Sequence, residues 1–270
     1  MSTNRMTVLA VGATGSIGCL VVDAAIRQGH AVGALVRDPA KASRLARGAQ
    51  LVIGDVTRPD TLAAAVEDVD AVVFTLGSDG DGKVGAQSID YGGVRNVLRA
   101  LGARRARIAL MTAIGVTNRT GAYNRATEAH DWKRRSERLV RASGLPYTIV
   151  RPGWFDANGP DEHRLVLLQG DGRQAGDPSD GVVARRQIAE ILVCSLTSDH
   201  ALRKTFELVA VAGPAQDDLA ALLAPLDADP PGTLDGVRDL ANMALADEPR
   251  RVRDDLDAAR ARHFAGAGPH

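Results

Sequence analysis

Three glycines at positions 12, 15 and 18, spaced G-x-x-G-x-x-G between an apolar run and a helical pattern, are the residues of this 270-residue chain best suited to holding a ligand. They suit an anion. Gly12 permits a tight turn, Gly15 lets a pyrophosphate approach the backbone, and Gly18 lets a helix lie close on a strand. Thr14, Ser16 and Ile17 complete the turn, where the unpaired N–H groups and positive dipole end of the following helix favour a phosphate. Arg37 adds a second signal, nineteen residues past Gly18, near the place where an NAD-binding fold keeps an acid for the ribose 2′-hydroxyl. A guanidinium there pairs with a 2′-phosphate, and Asp38 stands one step too late to be that acid, so NADP(H) is expected in preference to NAD(H). Lys41 is a second candidate phosphate contact, with a solvated lysine as the alternative.

Such a turn needs a parallel sheet to hold it. Short apolar runs at 6–11, 31–36, 49–53, 70–75 and 107–112 read as buried strands, and helical stripes run between them. Ile17, Leu20, Val21, Ala24 and Ala25 form the first stripe; Ile89, Val94, Val97, Leu98 and Leu101 form the one over 87–101. Further on come a strand over 165–168, a helix over 185–196, a strand over 204–211 and a helix over 215–223. The fold class is α/β, a doubly wound parallel sheet with a small C-terminal cap. Residues 1–230 form the nucleotide-binding domain with its cap, and 231–270 a helical extension. Val252, Leu256 and Ala259 put a weak apolar stripe on that extension, which is either packed on the body or an oligomer contact.

Thirty-three basic against thirty-three acidic residues leave no net charge, so neither nucleic acid nor a membrane surface is an expected partner. No leader and no apolar stretch of membrane-spanning length is visible. The expectation is a cytoplasmic monomer or homodimer with a small-molecule substrate. Cys19 and Cys194 read as buried free thiols, and no metal site is expected.

Gly12-Ala13-Thr14-Gly15 at this glycine spacing, together with residues 131–153, resembles the extended and atypical short-chain dehydrogenases/reductases, a Rossmann-fold family. The resemblance implies that Asp55 and Val56 border the adenine, that Leu76 and Gly77 border the cofactor, and that Pro152 and Gly153 lie under the nicotinamide. It makes Lys133 the holder of the nicotinamide ribose, Thr112 the hydroxyl that orients a substrate carbonyl, and Asn96 structural. The family's tyrosine, four residues before the lysine, is replaced by Ala129. Tyr123, His130 and Thr112 are candidate substitutes, but none has the i to i+4 spacing that puts two side chains on one helical face. Alternatively no protein proton is supplied, and hydride passes directly to a planar acceptor, as in the flavin and biliverdin reductases. This chain resembles them also at 35–38, 54–56 and 76–77.

The leading expectation is therefore an NADP(H)-dependent oxidoreductase of the atypical group. A non-catalytic NADP(H) sensor of NmrA-like type is the first alternative and a sugar-nucleotide epimerase or dehydratase the second. Arg134, Arg135, Arg138 and Arg141 read as the solvated face of the helix that carries Lys133. Asp60 reads as an N-cap, and Trp154-Phe155 as the start of the substrate side or as core.

Overall fold

The computed structural model describes residues 5–78 and 80–266, with backbone alone for 262–266. The chain begins β1 (Thr7–Val11), α1 (Gly18–Arg27), β2 (Ala31–Val36), β3 (Gln50–Ile53) and β4 (Ala71–Phe74). β1 is the hinge of the topology: it pairs in parallel with β2 on one side and β4 on the other. Its side chains alternate, with Leu9 and Val11 joining one buried layer and Val8 and Ala10 the other. Helices therefore cover both faces.

Next come α2 (Gly82–Gly85), α3 (Gly92–Leu101), β5 (Arg107–Met111), α4 (Ala122–Thr127), α5 (Ala129–Ala142) and β6 (Tyr147–Pro152). The last third holds β7 (Trp154–Phe155), β8 (Arg164–Leu168), β9 (Val182–Val183), α6 (Arg185–Thr197), β10 (Lys204–Val211), α7 (Leu219–Leu223) and α8 (Arg250–Gly266). The parallel order is β3-β2-β1-β4-β5-β6-β10, while the short β8 and β9 run antiparallel to β10. Strand order reverses at β1 and β4, which opens a crevice at their carboxyl ends.

Several local expectations give way to the structure. The connection after β3 forms two single 3₁₀ turns, Pro59–Thr61 and Ala64–Val66, and Asp60 caps neither; it pairs with Arg58 at 3.1 Å. Helix begins at Gly82, ahead of the stripe expected over 87–101, passes through a wide π turn at Ala86–Tyr91, and continues as α3. The last family helix is confined to Leu219–Leu223. Cys19 and Cys194 are free but only half-buried.

The largest correction concerns α5. Arg134, Arg135, Arg138 and Arg141 are all buried, not solvated. Residues beyond 228 lie against this face and supply carboxylates: Asp235 takes both Arg134 and Arg138, Glu248 takes Arg135, and Asp229 takes Arg141. Guanidinium stems are long and partly apolar, so they pack as core while each charge meets its counter-ion. Val252, Leu256 and Ala259 of α8 join the same buried layer as Tyr91, Val94, Trp132 and Leu139. The apolar stripe of the extension is thus consumed within this chain, and the segment before α8 is irregular apart from one 3₁₀ turn at Leu245–Asp247.

Candidate functional site

The glycine turn stands at the mouth of the crevice. Gly12 has φ of +89°, and a Cβ there would lie 2.8 Å from the Thr75 carbonyl oxygen. At Gly18 a Cβ would come within 2.0 Å of the Gly12 carbonyl oxygen, so only glycine lets α1 start this close to the turn. No side chain caps α1 at Ile17, and although the Cys19 N–H bonds the Gly15 carbonyl at 3.0 Å, those of Gly18 and Leu20 are left for a ligand. This cradle fits the diphosphate of a dinucleotide.

A cavity of about 780 Å³ extends from that turn. Gly12, Thr14, Gly15, Ser16 and Ile17 line it, as do Arg37, Val56, Leu76 and Gly77, and Thr112, Tyr123, Lys133, Pro152, Trp154 and Phe155. Gly18 lies beneath the turn rather than in the wall, packed on Gly12. Arg37 is exposed and makes no ion pair among the described residues. Lys41 and Asp55 are not among the lining residues. Lys41 is exposed on the 3₁₀ turn after β2, and the Asp55 carboxylate accepts from the Thr57 N–H at 2.9 Å and the Thr57 hydroxyl at 2.8 Å. Asn96 donates to the Val56 carbonyl at 2.7 Å and so fixes the loop that follows β3.

The expected catalytic positions are already engaged by neighbours. Lys133 Nζ donates to Asp90 Oδ1 at 2.7 Å, and Ser78 donates to the other Asp90 oxygen. Asp90 is placed by the π turn and by Ser136, whose hydroxyl donates to the Asp90 carbonyl at 2.6 Å. Thr112 Oγ1 lies 2.7 Å from Glu137 Oε1. Burial would raise the Glu137 carboxyl, but Arg151, Arg141 and the Thr112 hydroxyl outweigh it and hold the group below its usual range. Glu137 is thus ionised and accepts only, so Thr112 donates inward and offers the cavity lone pairs alone. Tyr123 is 53% exposed, its ring 5.1 Å from that of His130. Burial lowers the pKa of His130, which therefore stands neutral at pH 7, with Nδ1 unpartnered. Ala129, in the tyrosine position, is buried.

Behind the wall lies a buried charge network. Arg151 bonds Glu137 at 2.7 Å and Asp239 at 2.7 Å, and reaches Glu207 at 3.3 Å. Asp171 has φ of +49°; its carboxylate accepts from the Gly115 N–H, the Thr117 N–H and the Thr117 hydroxyl, pinning the loop after β5 that lines the cavity. Asp90, Glu137 and Asp171 went unassigned in the sequence. Only Glu137 carried a usable signal, four residues past Lys133 on the same helical face.

Among the described residues, no group of His, Cys, Asp or Glu could hold a metal ion, and no helix is long and apolar enough to cross a membrane.

A family model described as NAD(P)H-binding matches residues 12–199. The Photosystem II assembly factor Ycf39 of Synechocystis sp. is 30% identical over 207 residues, 76% of this chain and 62% of that protein. A sugar epimerase of Bacillus subtilis, YhfK, itself uncharacterized, is 29% identical over 208 residues, 75% of this chain and 94% of its own. Sanguinarine reductase of Eschscholzia californica is 25% identical over 249 residues, 77% of this chain and 90% of that enzyme.

Proposed function

The chain belongs to the NAD(P)H-binding family whose model spans residues 12–199, and from that premise we propose that it is an NADP(H)-dependent oxidoreductase delivering hydride to a planar, conjugated acceptor. One observation carries this reading. The cavity runs from the glycine turn to the exposed rings of Trp154 and Phe155, and among the described residues of its wall no side chain replaces the missing phenol at the required helical position.

When bound, the nicotinamide cofactor supplies the hydride. The start of α1 holds the diphosphate, and Arg37 meets the 2′-phosphate. Lys133, neutralised by Asp90, keeps two N–H donors for ribose hydroxyls. Trp154 and Phe155 offer flat apolar surface on which a conjugated ring system stacks. Thr112 spends its hydrogen on Glu137 and offers the cavity only lone pairs, so it does not polarise a carbonyl. The proton that completes reduction of a conjugated acceptor then comes from solvent at the open mouth. The relative named sanguinarine reductase supports a reductase. The sugar-epimerase reading suggested by the Bacillus relative's name lacks a proton-transfer group where Ala129 stands.

The sensor alternative draws on the same engagement of Lys133 by Asp90 and Thr112 by Glu137. Turnover separates the two. NADPH oxidation is followed with a panel of flavin, biliverdin, quinone and simple carbonyl acceptors, alongside calorimetric titration of NADPH. Oxidation by planar acceptors that survives Tyr123→Phe is the expected result. Tight NADPH binding without turnover on any acceptor would replace the oxidoreductase with the sensor.

A further inference from the structure

The arginine and lysine that line the cavity are Arg37 and Lys133, and Lys133 is already paired with Asp90. At the glycine turn, where the doubly charged diphosphate of a dinucleotide belongs, the start of α1 contributes only about half a positive charge. A further cation reaches that turn from α6, which shares a buried layer with α1. Arg185, the first residue of α6, donates from Nε to Ser16 Oγ at 3.1 Å, and its guanidinium carbon lies 5.3 Å from the centre of the Phe155 ring. Ser16 belongs to the glycine turn and Phe155 to the acceptor end, and both line the cavity, so Arg185, which is not itself a lining residue, lies beside two parts of its wall.

Asp156 holds the arginine there. Its carboxylate accepts from the Arg185 backbone N–H at 3.0 Å and pairs with the guanidinium through Nη1. Asp156 itself has φ of +52°, in the left-handed region that non-glycine residues seldom visit. Aspartate tolerates this region better than most, and the conformation turns its carboxylate back onto the start of α6. Nη2 makes no hydrogen bond among the described residues. With Nε on Ser16 and Nη1 on Asp156, the N–H groups of Nη2 remain, and a charge-assisted N–H donor suits a phosphate oxygen.

We propose that Arg185 is a diphosphate-binding residue, held beside the glycine turn by Asp156 and Phe155, whose Nη2 donates to the cofactor's diphosphate. The assignment rests on the dinucleotide reading of the cavity. It differs from the role of Arg37, because the diphosphate is common to NADP⁺ and NAD⁺.

The test is calorimetric titration of the full chain, wild type and Arg185→Gln, with NADP⁺, NAD⁺ and adenosine 2′-monophosphate, which lacks the diphosphate. Arg185→Gln is expected to weaken both dinucleotides by about tenfold, the loss of one charge-assisted contact, and to leave the monophosphate within about twofold. Arg185→Lys, which keeps the charge without the fork, should recover part of the loss. Equal weakening of all three ligands, or of none, would overturn the assignment. A wild-type chain that binds no dinucleotide would instead remove the site on which it rests.

Discussion

Arg37 lines the cavity and Arg185 bonds Ser16 of its glycine turn, and the different roles proposed for them predict different ligand preferences. Arg37 lines the cavity, is exposed and has no ion pair among the described residues, so on the proposed reading its charge is free for a 2′-phosphate. Arg37→Glu replaces attraction by repulsion at that phosphate and should weaken NADPH by at least about tenfold while leaving NADH within about twofold, read by calorimetry. Equal effects on the two cofactors would sink the 2′-phosphate role. Arg37 was legible because its distance from the glycines is a property of one β-α-β unit. The state of Thr112 was not, since an isolated hydroxyl donates or accepts with equal ease. Glu137, brought within 2.7 Å by a separate helix, makes it a donor toward the protein interior.

At the scale of elements, α5 is the part whose meaning changes most. In sequence its four arginines, interleaved with polar residues, match a solvent face. In the fold they are the buried seam between the family domain and the segment that follows it. Asp235 is shared by Arg134 at 3.1 Å and by Arg138 at 2.9 and 2.7 Å, and both guanidinium groups are almost fully buried. Removing one partner of a buried pair leaves an uncompensated charge, at a cost of about 3–5 kcal/mol. Asp235→Ala should therefore lower the urea midpoint by an amount equivalent to about 3 kcal/mol. Asp254→Ala, which removes only the exposed i,i+4 pair with Arg250, should change it by less than about 0.5 kcal/mol. A small loss at Asp235 would show that the seam does not contribute to stability. The strands and the turn into α1 needed no such partner, because apolar periodicity and glycine placement act within a few residues.

For the whole molecule the buried network sets a pH response. Burial, with Asp171 and Asp239 nearby, raises the Glu207 carboxyl to about 7 despite the opposing pull of Arg151. Because this folded pKa lies above that of the unfolded chain, the native state holds the proton between about pH 4.5 and 7. Stability is greatest below that window and is lost as pH rises through it, by on the order of 3 kcal/mol. Glu207→Gln should flatten the fall in urea midpoint between pH 5 and 8, and an unchanged slope would assign the effect elsewhere. The sequence by itself determined the parallel sheet, the glycine turn, the missing tyrosine and the place of Arg37, because each depends on spacing within one or two adjacent elements. The tertiary structure decided which arginines are buried, where the hydrogen of Thr112 points and that Arg185 reaches Ser16. Those outcomes depend on partners far along the chain: Asp235 lies 97 residues from Arg138, and Ser16 lies 169 from Arg185. A charged side chain reads the same in sequence whether water or a carboxylate awaits it, and only the packing of distant segments settles which it meets.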